Sequence, residues 1–186
     1  MGMAALFDYT AREIRALNDR RDWGWPRYEV VEGELLVTPA PRSIHQRVVA
    51  RMLFELMNYL RREPVGEALA SPADISWGPK MLVQPDVFVV PIDEARKSEW
   101  TEVRHLLLAV EVLSPASWRA DNLVKRRLFQ REGVPLYWIV DADRRAVYGW
   151  TPDANEADVA MQTITWHPAG AATALVIRLE ELFRPL

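Results

Sequence analysis

The sequence predicts an α/β fold of the α+β kind: a mixed β-sheet flanked by helices, with an N-terminal hairpin and extra C-terminal strands. Three observations carry this. Two apolar runs of strand length, Val87-Phe88-Val89-Val90 and Leu106-Leu107-Leu108-Ala109-Val110, are separated only by a short polar stretch, so antiparallel pairing is expected. A strand, helix and strand then follow over 106–113, 119–132 and 136–141, which implies a parallel pairing through a right-handed crossover. From Ser43 onward, apolar residues recur at helical spacing over about five turns.

In chain order, residues 8–19 suggest a short helix with Leu17 on its apolar side. "YEVVEGELLVTPAP" joins two β-prone runs at Glu32-Gly33 and reads as a hairpin, which Pro39 and Pro41 end. In "SIHQRVVARMLFELMNYLRRE" the apolar positions 48/49, 52/53, 56 and 59/60 define one face of a helix. Ser43 is the expected N-cap, and the helix ends near Glu63-Pro64. "GEALASPADISWG", "KMLVQPDVFVVP" and "HLLLAVEVLSP" each read as a strand, and the polar piece 92–104 has room for a short helical turn. "SWRADNLVKRRLFQREG" is a second helix, stopped by Gly133. "VPLYWIVDAD" and "RAVYGWTPD" are strands. A polar loop leads to a last strand pair, "MQTITWHP" and "ATALVIRL", before "EELF" closes the chain.

The 186 residues suit one domain over 1–186, with the helix at 8–19 as an appendage. The apolar fraction of 49% and charged fraction of 26% are those of an ordinary globular protein. With no cysteine, disulfides and thiolate metal sites are excluded, which fits a cytoplasmic location. No apolar run is long enough to span a membrane, and the N-terminus lacks a signal-peptide pattern. A formal charge of −3 argues against a protein that coats nucleic acid, so any such contact needs a local basic patch.

Two acids stand out. Asp86 immediately precedes the run Val87–Val90, and Glu111 sits inside "LLLAVEVL". Burying a lone carboxylate is costly, so such acids are normally paired or metal-bound. Strand alternation lets both point to one face if their strands are neighbours. Two converging carboxylates favour a hard cation such as Mg²⁺. The alternative is that Asp86 lies partly wet at its strand mouth while Glu111 pairs with an arginine. Lys125 borders the apolar side of the following helix, near Val124, Leu128 and Phe129, from where it can reach the strand ends. Its alternative is a helical ion pair with Asp121 at i−4.

Acid, acid and lysine on strand, strand and following helix is a nuclease arrangement. "QPD", "VEVLSP", the spacing Asp121-x-x-x-Lys125, "GVPLYWIVD", "YEVVEGELL" with "TPAP", "HQRVV" and "RLEELF" resemble the Uma-type restriction endonuclease family of the PD-(D/E)xK nuclease superfamily. The resemblance runs over about residues 27–184. It implies a restriction endonuclease-like α-β-β-β-α-β core and a Mg²⁺-dependent endonuclease acting on DNA, with Mn²⁺ as a substitute. In it Asp86 and Glu111 hold the metal, the Val112 backbone carbonyl is a further ligand, and Lys125 is the catalytic lysine. The superfamily places that lysine two residues past the second acid, where this chain has Leu113, so Lys125 on the helix is a departure. Glu34 matches a family acid and can ligate metal or position water, and His45, on the inward side of the long helix, can bind phosphate or tune Glu34. Alternatively Glu34 is a solvated hairpin residue and His45 a structural one. Gln84 shares the Asp86 face by alternation, and Asp74 is more simply a turn residue. Arg42, Arg47, Arg119, Arg126 and Arg127 are candidates for a phosphate-binding rim. Many nucleases of this type cut as homodimers. The competing expectations are a non-catalytic nucleic-acid or protein-interaction domain on the same scaffold, or a hydrolase of another phosphoester. Of the eight tryptophans, Trp138 reads as core and Trp23, Trp25 and Trp118 receive no function.

Overall fold

The computed structural model describes residues 8–20, 24–97, 99–115 and 117–185. Helix α1 (Ala11–Asp19) starts at a capping box in which Thr10 and Glu13 satisfy each other's backbone N–H groups. Its Ala11 and Ile14 pack on Val30 and Leu82, so this helix is seated on the β-structure that follows. Strands β1 (Arg27–Val31) and β2 (Glu34–Thr38) form the expected hairpin, with Gly33 at φ +85° in its turn. Trp23 lies outside the described residues. Helix α2 (Ser43–Leu60) runs as expected, but its N-cap is Arg42, and no side chain caps it.

The two segments expected as single strands, 66–78 and 80–91, are each divided between two sheets. The first gives β3 (Gly66–Ala70) and β4 (Ile75–Gly78), and the second gives β5 (Met81–Val83) and β6 (Val87–Pro91). The breaks fall at Ser71-Pro72 and Gln84-Pro85, where proline has no N–H to continue a ladder. Strands β2-β1-β5-β4 make a four-stranded antiparallel sheet. After α3 (Ile92–Ala95) and a 3₁₀ turn, β7 (Leu108–Val112) pairs antiparallel with β6. A π-helical stretch (Ala120–Lys125) and α4 (Arg126–Arg131) then lead to β8 (Tyr137–Asp141), parallel to β7. Next come β9 (Ala146–Trp150) and β10 (Asp158–Ala160), the latter inside the expected polar loop. The order β10-β9-β8-β7-β6-β3 completes a six-stranded mixed sheet. Strands β11 (Thr163–Trp166) and β12 (Leu175–Arg178) form the final pair, followed by α5 (Leu179–Leu182).

Both faces of the six-stranded sheet are covered, which explains the nearly continuous apolar character of β6 and β7. On one face Val87, Val89, Leu108 and Val110 meet Val48, Met52 and Leu56 of α2 and Ile164 and Trp166 of β11. On the other, Phe88, Val90, Ala109 and Ile139 meet Leu128 and Phe129 of α4 and Val31, Ile75 and Val83 of the smaller sheet. Trp138 is in the core, as expected. No helix among the described residues is long and apolar enough to cross a membrane.

The segment between β6 and β7 is held by Glu94, which is 7% exposed. Its carboxylate accepts from Lys97 Nζ at 2.6 Å, from the Arg104 N–H at 3.0 Å and from His105 Nδ1 at 2.8 Å. Burial opposes the charge, but these donors hold the carboxyl down at about 2. A depressed carboxyl adds stability above its unfolded pKa of about 4.3, and that stability fades as pH falls toward the folded value. Glu94→Gln is therefore expected to cost about 1–3 kcal/mol at pH 7. Urea unfolding at pH 7 and pH 3 checks this: the gap to the parent protein should narrow to about half at the lower pH.

Candidate active site

The register of β6 on β7 pairs Val87 with Val110, so Asp86 at the entrance of β6 lies across from Glu111. Both share parity with Phe88, Val90 and Ala109, so both belong to the face covered by the smaller sheet and the helix after β7. That helix opens with the π-helical stretch, whose Arg126 N–H reaches back to the Asp121 carbonyl. π-turns often occur at functional sites, and this one turns both Asp121 and Lys125 inward. Lys125 Nζ lies 2.9 Å from Glu111 Oε1, 2.8 Å from Glu29 Oε2 on β1 and 3.5 Å from Asp121 Oδ1. Glu111 and Lys125 are each 2% exposed, and Glu29 is fully buried. Both sequence alternatives for Lys125 hold together: it bridges to the strand acid and pairs with Asp121.

Asp86, 6% exposed, is gripped from three sides. Arg27 Nη1 donates to its Oδ1 at 3.1 Å, while Oδ2 lies 3.0 Å from His45 Nε2 and accepts the Val112 N–H at 2.9 Å. Burial pushes this carboxyl up, but His45, Arg27 and the Val112 N–H outweigh it and leave the group well below the usual carboxylate range. Its neighbours go the other way. Burial, with Asp121, Asp86 and Glu29 adding to it, drives the Glu111 carboxyl well above its ordinary value despite Lys125. Burial likewise raises Asp121, to about 6. Burial works against the Lys125 charge, but Glu111, Glu29 and Asp121 overcome it and hold the ammonium well above its ordinary pKa.

Asp86, Glu111, Asp121, Lys125, Arg27 and His45 line one narrow cleft whose cavity volume is about 20 Å³, room for about one water or a bare ion. With Glu29 behind them, four carboxylates face the cations of Arg27 and Lys125. Fully ionised, the set carries two surplus negative charges, which a buried site relieves with protons or a cation. The oxygen-only donor set suits a hard divalent ion. The Oδ1 atom of Asp121 is buried and makes no hydrogen bond, its one charged neighbour being the Lys125 ammonium at 3.5 Å. Among the described residues, no three His, Cys, Asp or Glu side chains already stand as a metal cage.

The other candidates scatter. Glu34 is not brought to this cleft. Its side chain, 48% exposed, pairs with Arg119 at 2.9 Å in a wider groove between the hairpin tip and α4, so His45 cannot tune it. Gln84 touches the site through its backbone, whose N–H donates to Glu29 Oε1 at 2.7 Å. Its side-chain amide turns instead to Asp74. Of the five arginines, four are placed apart and form no single rim. Arg42 pairs with Asp143, Arg119 and Arg127 line the wider groove, and Arg126 stacks over Trp150 at 4.4 Å. Glu29 and Arg27 were missed. The signal was available in "RYEVV": alternation puts Arg27, Glu29 and Val31 on one face, the same anomaly of charge in an apolar strand that singled out Asp86 and Glu111.

Fold and converging side chains together define a nuclease-like α+β protein, in which a mixed sheet presents acids at its strand ends to a lysine from the next helix. The chain belongs to the Uma2 family, whose model, described as "Putative restriction endonuclease", matches residues 13–179. A crystal structure of "a putative nuclease belonging to DUF820" from Anabaena variabilis shares the fold. It has TM-score 0.71 and 20% identity, over 85% of this chain and 90% of that one. No curated protein matches the chain.

Proposed function

We propose that the protein is a divalent-metal-dependent endonuclease that hydrolyses phosphodiester bonds of DNA. The observation that supports it most is the meeting of Asp86, Glu111 and Lys125 in one cleft, from two strands and the helix between β7 and β8. Asp86, Glu111 and the Val112 carbonyl would hold Mg²⁺ or Mn²⁺. The ion would supply Lewis-acid polarisation of the phosphate and a water of lowered pKa. His45 fixes the Asp86 carboxylate from Oδ2. Lys125, anchored on Glu29 and Asp121 as well as Glu111, keeps a positive charge where negative charge grows on phosphorus. The hairpin thus contributes Glu29 from within the cluster. Cutting both strands of a duplex would call on two copies of the chain.

A second reading has its own observation. Glu111 and Lys125 are nearly sealed, and Asp86 spends both oxygens on protein partners, as in a structural ion-pair core on a non-catalytic scaffold. Incubation of plasmid, single-stranded DNA, RNA and mononucleotides with Mg²⁺, Mn²⁺ or EDTA separates the two. The nuclease reading expects metal-dependent cleavage of DNA that EDTA abolishes. Cleavage of mononucleotides alone points to another phosphoester hydrolase, and no cleavage of any substrate favours the scaffold reading.

A further inference from the structure

Arg27 holds an unusual position. It is 9% exposed and lines the cleft, with its guanidinium 5.0 Å from the centre of the Trp25 ring. A single nitrogen, Nη1, donates both to Asp86 Oδ1 at 3.1 Å and to the Gln84 carbonyl at 2.8 Å. One carboxylate oxygen and one backbone carbonyl converging on a point are the donors that hard divalent cations take. The guanidinium nitrogen therefore sits where two oxygens of the acid strand jointly address a positive charge. Asp86 is held independently through Oδ2 by His45 and the Val112 N–H.

We infer that Arg27 is the resident counter-ion of Asp86 Oδ1, steadied there by the Gln84 carbonyl, and that the divalent ion held by Asp86 and Glu111 binds only by displacing it. The inference rests on the metal-dependent reading above. Without a divalent ion, Arg27 neutralises Asp86 and keeps the acid cluster folded. With one, two cations cannot share a single carboxylate oxygen in a buried site, and the guanidinium withdraws along the Trp25 face. The arginine thus sets the metal affinity of the site, weakening it in exchange for a stable cluster when no metal is present.

Titration calorimetry with MnCl₂ tests this on the full chain. Arg27→Met, which removes the charge and keeps the apolar stem, is expected to bind Mn²⁺ about tenfold or more tightly than the parent protein. Arg27→Lys, which keeps the charge, is expected to stay within about threefold of it. Asp86→Asn should abolish binding in every background, which assigns the ion to this site. Arg27→Gln carries the same expectation as Arg27→Met and replaces it if that variant does not fold by circular dichroism. If Mn²⁺ binds through Asp86 but with equal or lower affinity in the neutral Arg27 variants, or if Arg27→Lys binds as tightly as they do, the counter-ion role is overturned and the nuclease reading stands. If neither the parent nor the neutral variants bind Mn²⁺, or if binding ignores Asp86→Asn, the metal-dependent reading itself falls.

Discussion

Lys125→Met is expected to lower the unfolding free energy by about 3–5 kcal/mol at pH 7.5, because it strands Glu29, Glu111 and Asp121 in a site almost closed to water. The loss should shrink markedly at pH 5. An acid whose folded pKa is raised weakens the fold by its full amount above that pKa, and the penalty fades as pH falls from there toward the unfolded value. Asp121 already titrates at about 6 with the lysine present, and Glu111 lies well above its ordinary value. Without the ammonium both move further up, so at pH 5 they take protons and much of the uncompensated charge disappears. Urea unfolding of parent and variant at the two pH values reads this directly. A penalty below about 1 kcal/mol at pH 7.5, or one that does not change with pH, would mean that Lys125 is not the charge on which the cluster depends.

Asp86→Asn is expected to remove metal-dependent DNA cleavage while leaving the shape of the cleft intact. Loss of a partner that merely orients a metal ligand costs roughly 10–100-fold, so loss of the ligand itself should exceed that range. The same change leaves Arg27 buried without its anion, so a stability loss of about 3–5 kcal/mol accompanies it at neutral pH. The Asp86 carboxyl is depressed in the folded protein, so its contribution is present above its unfolded pKa and vanishes as pH falls through the folded one. Cleavage rates and unfolding curves measured on one preparation separate the two effects. Cleavage within tenfold of the parent, with full folding, would remove Asp86 from the chemistry.

The parts of this architecture written in local pattern were legible in the sequence. The α2 helix shows in the spacing of Val48, Met52, Leu56 and Tyr59, and the double-sided burial of β7 shows in an apolar run that only Glu111 interrupts. Asp86 and Glu111 were conspicuous because an acid inside such a run needs a reason. Other features depend on contacts remote in sequence. Nothing local says that the chain leaves one sheet for another at Ser71-Pro72 and again at Gln84-Pro85. The second of these crossings is what sets Asp86 at the mouth of β6 and aims the Gln84 N–H at Glu29. The π-helical stretch is invisible to a 3.6-residue period, although it delivers Asp121 and Lys125 to the same cluster. The hairpin carries three similar acids, Glu29, Glu32 and Glu34. Burial against Lys125 of the π-helical stretch separates Glu29, which enters the site, from Glu34, which faces Arg119 outside it.

The central claim is that positions 86 and 111 jointly hold a divalent ion beside Lys125. Crystals of the protein soaked in Mn²⁺, with anomalous diffraction recorded at the manganese edge, test it most directly. The account predicts a manganese peak bonded to a carboxylate oxygen of Asp86, one of Glu111 and the Val112 carbonyl, with Arg27 withdrawn from Asp86 Oδ1. A well-ordered cleft with no peak, with Arg27 still on Asp86 and Lys125 still among its three acids, would contradict it.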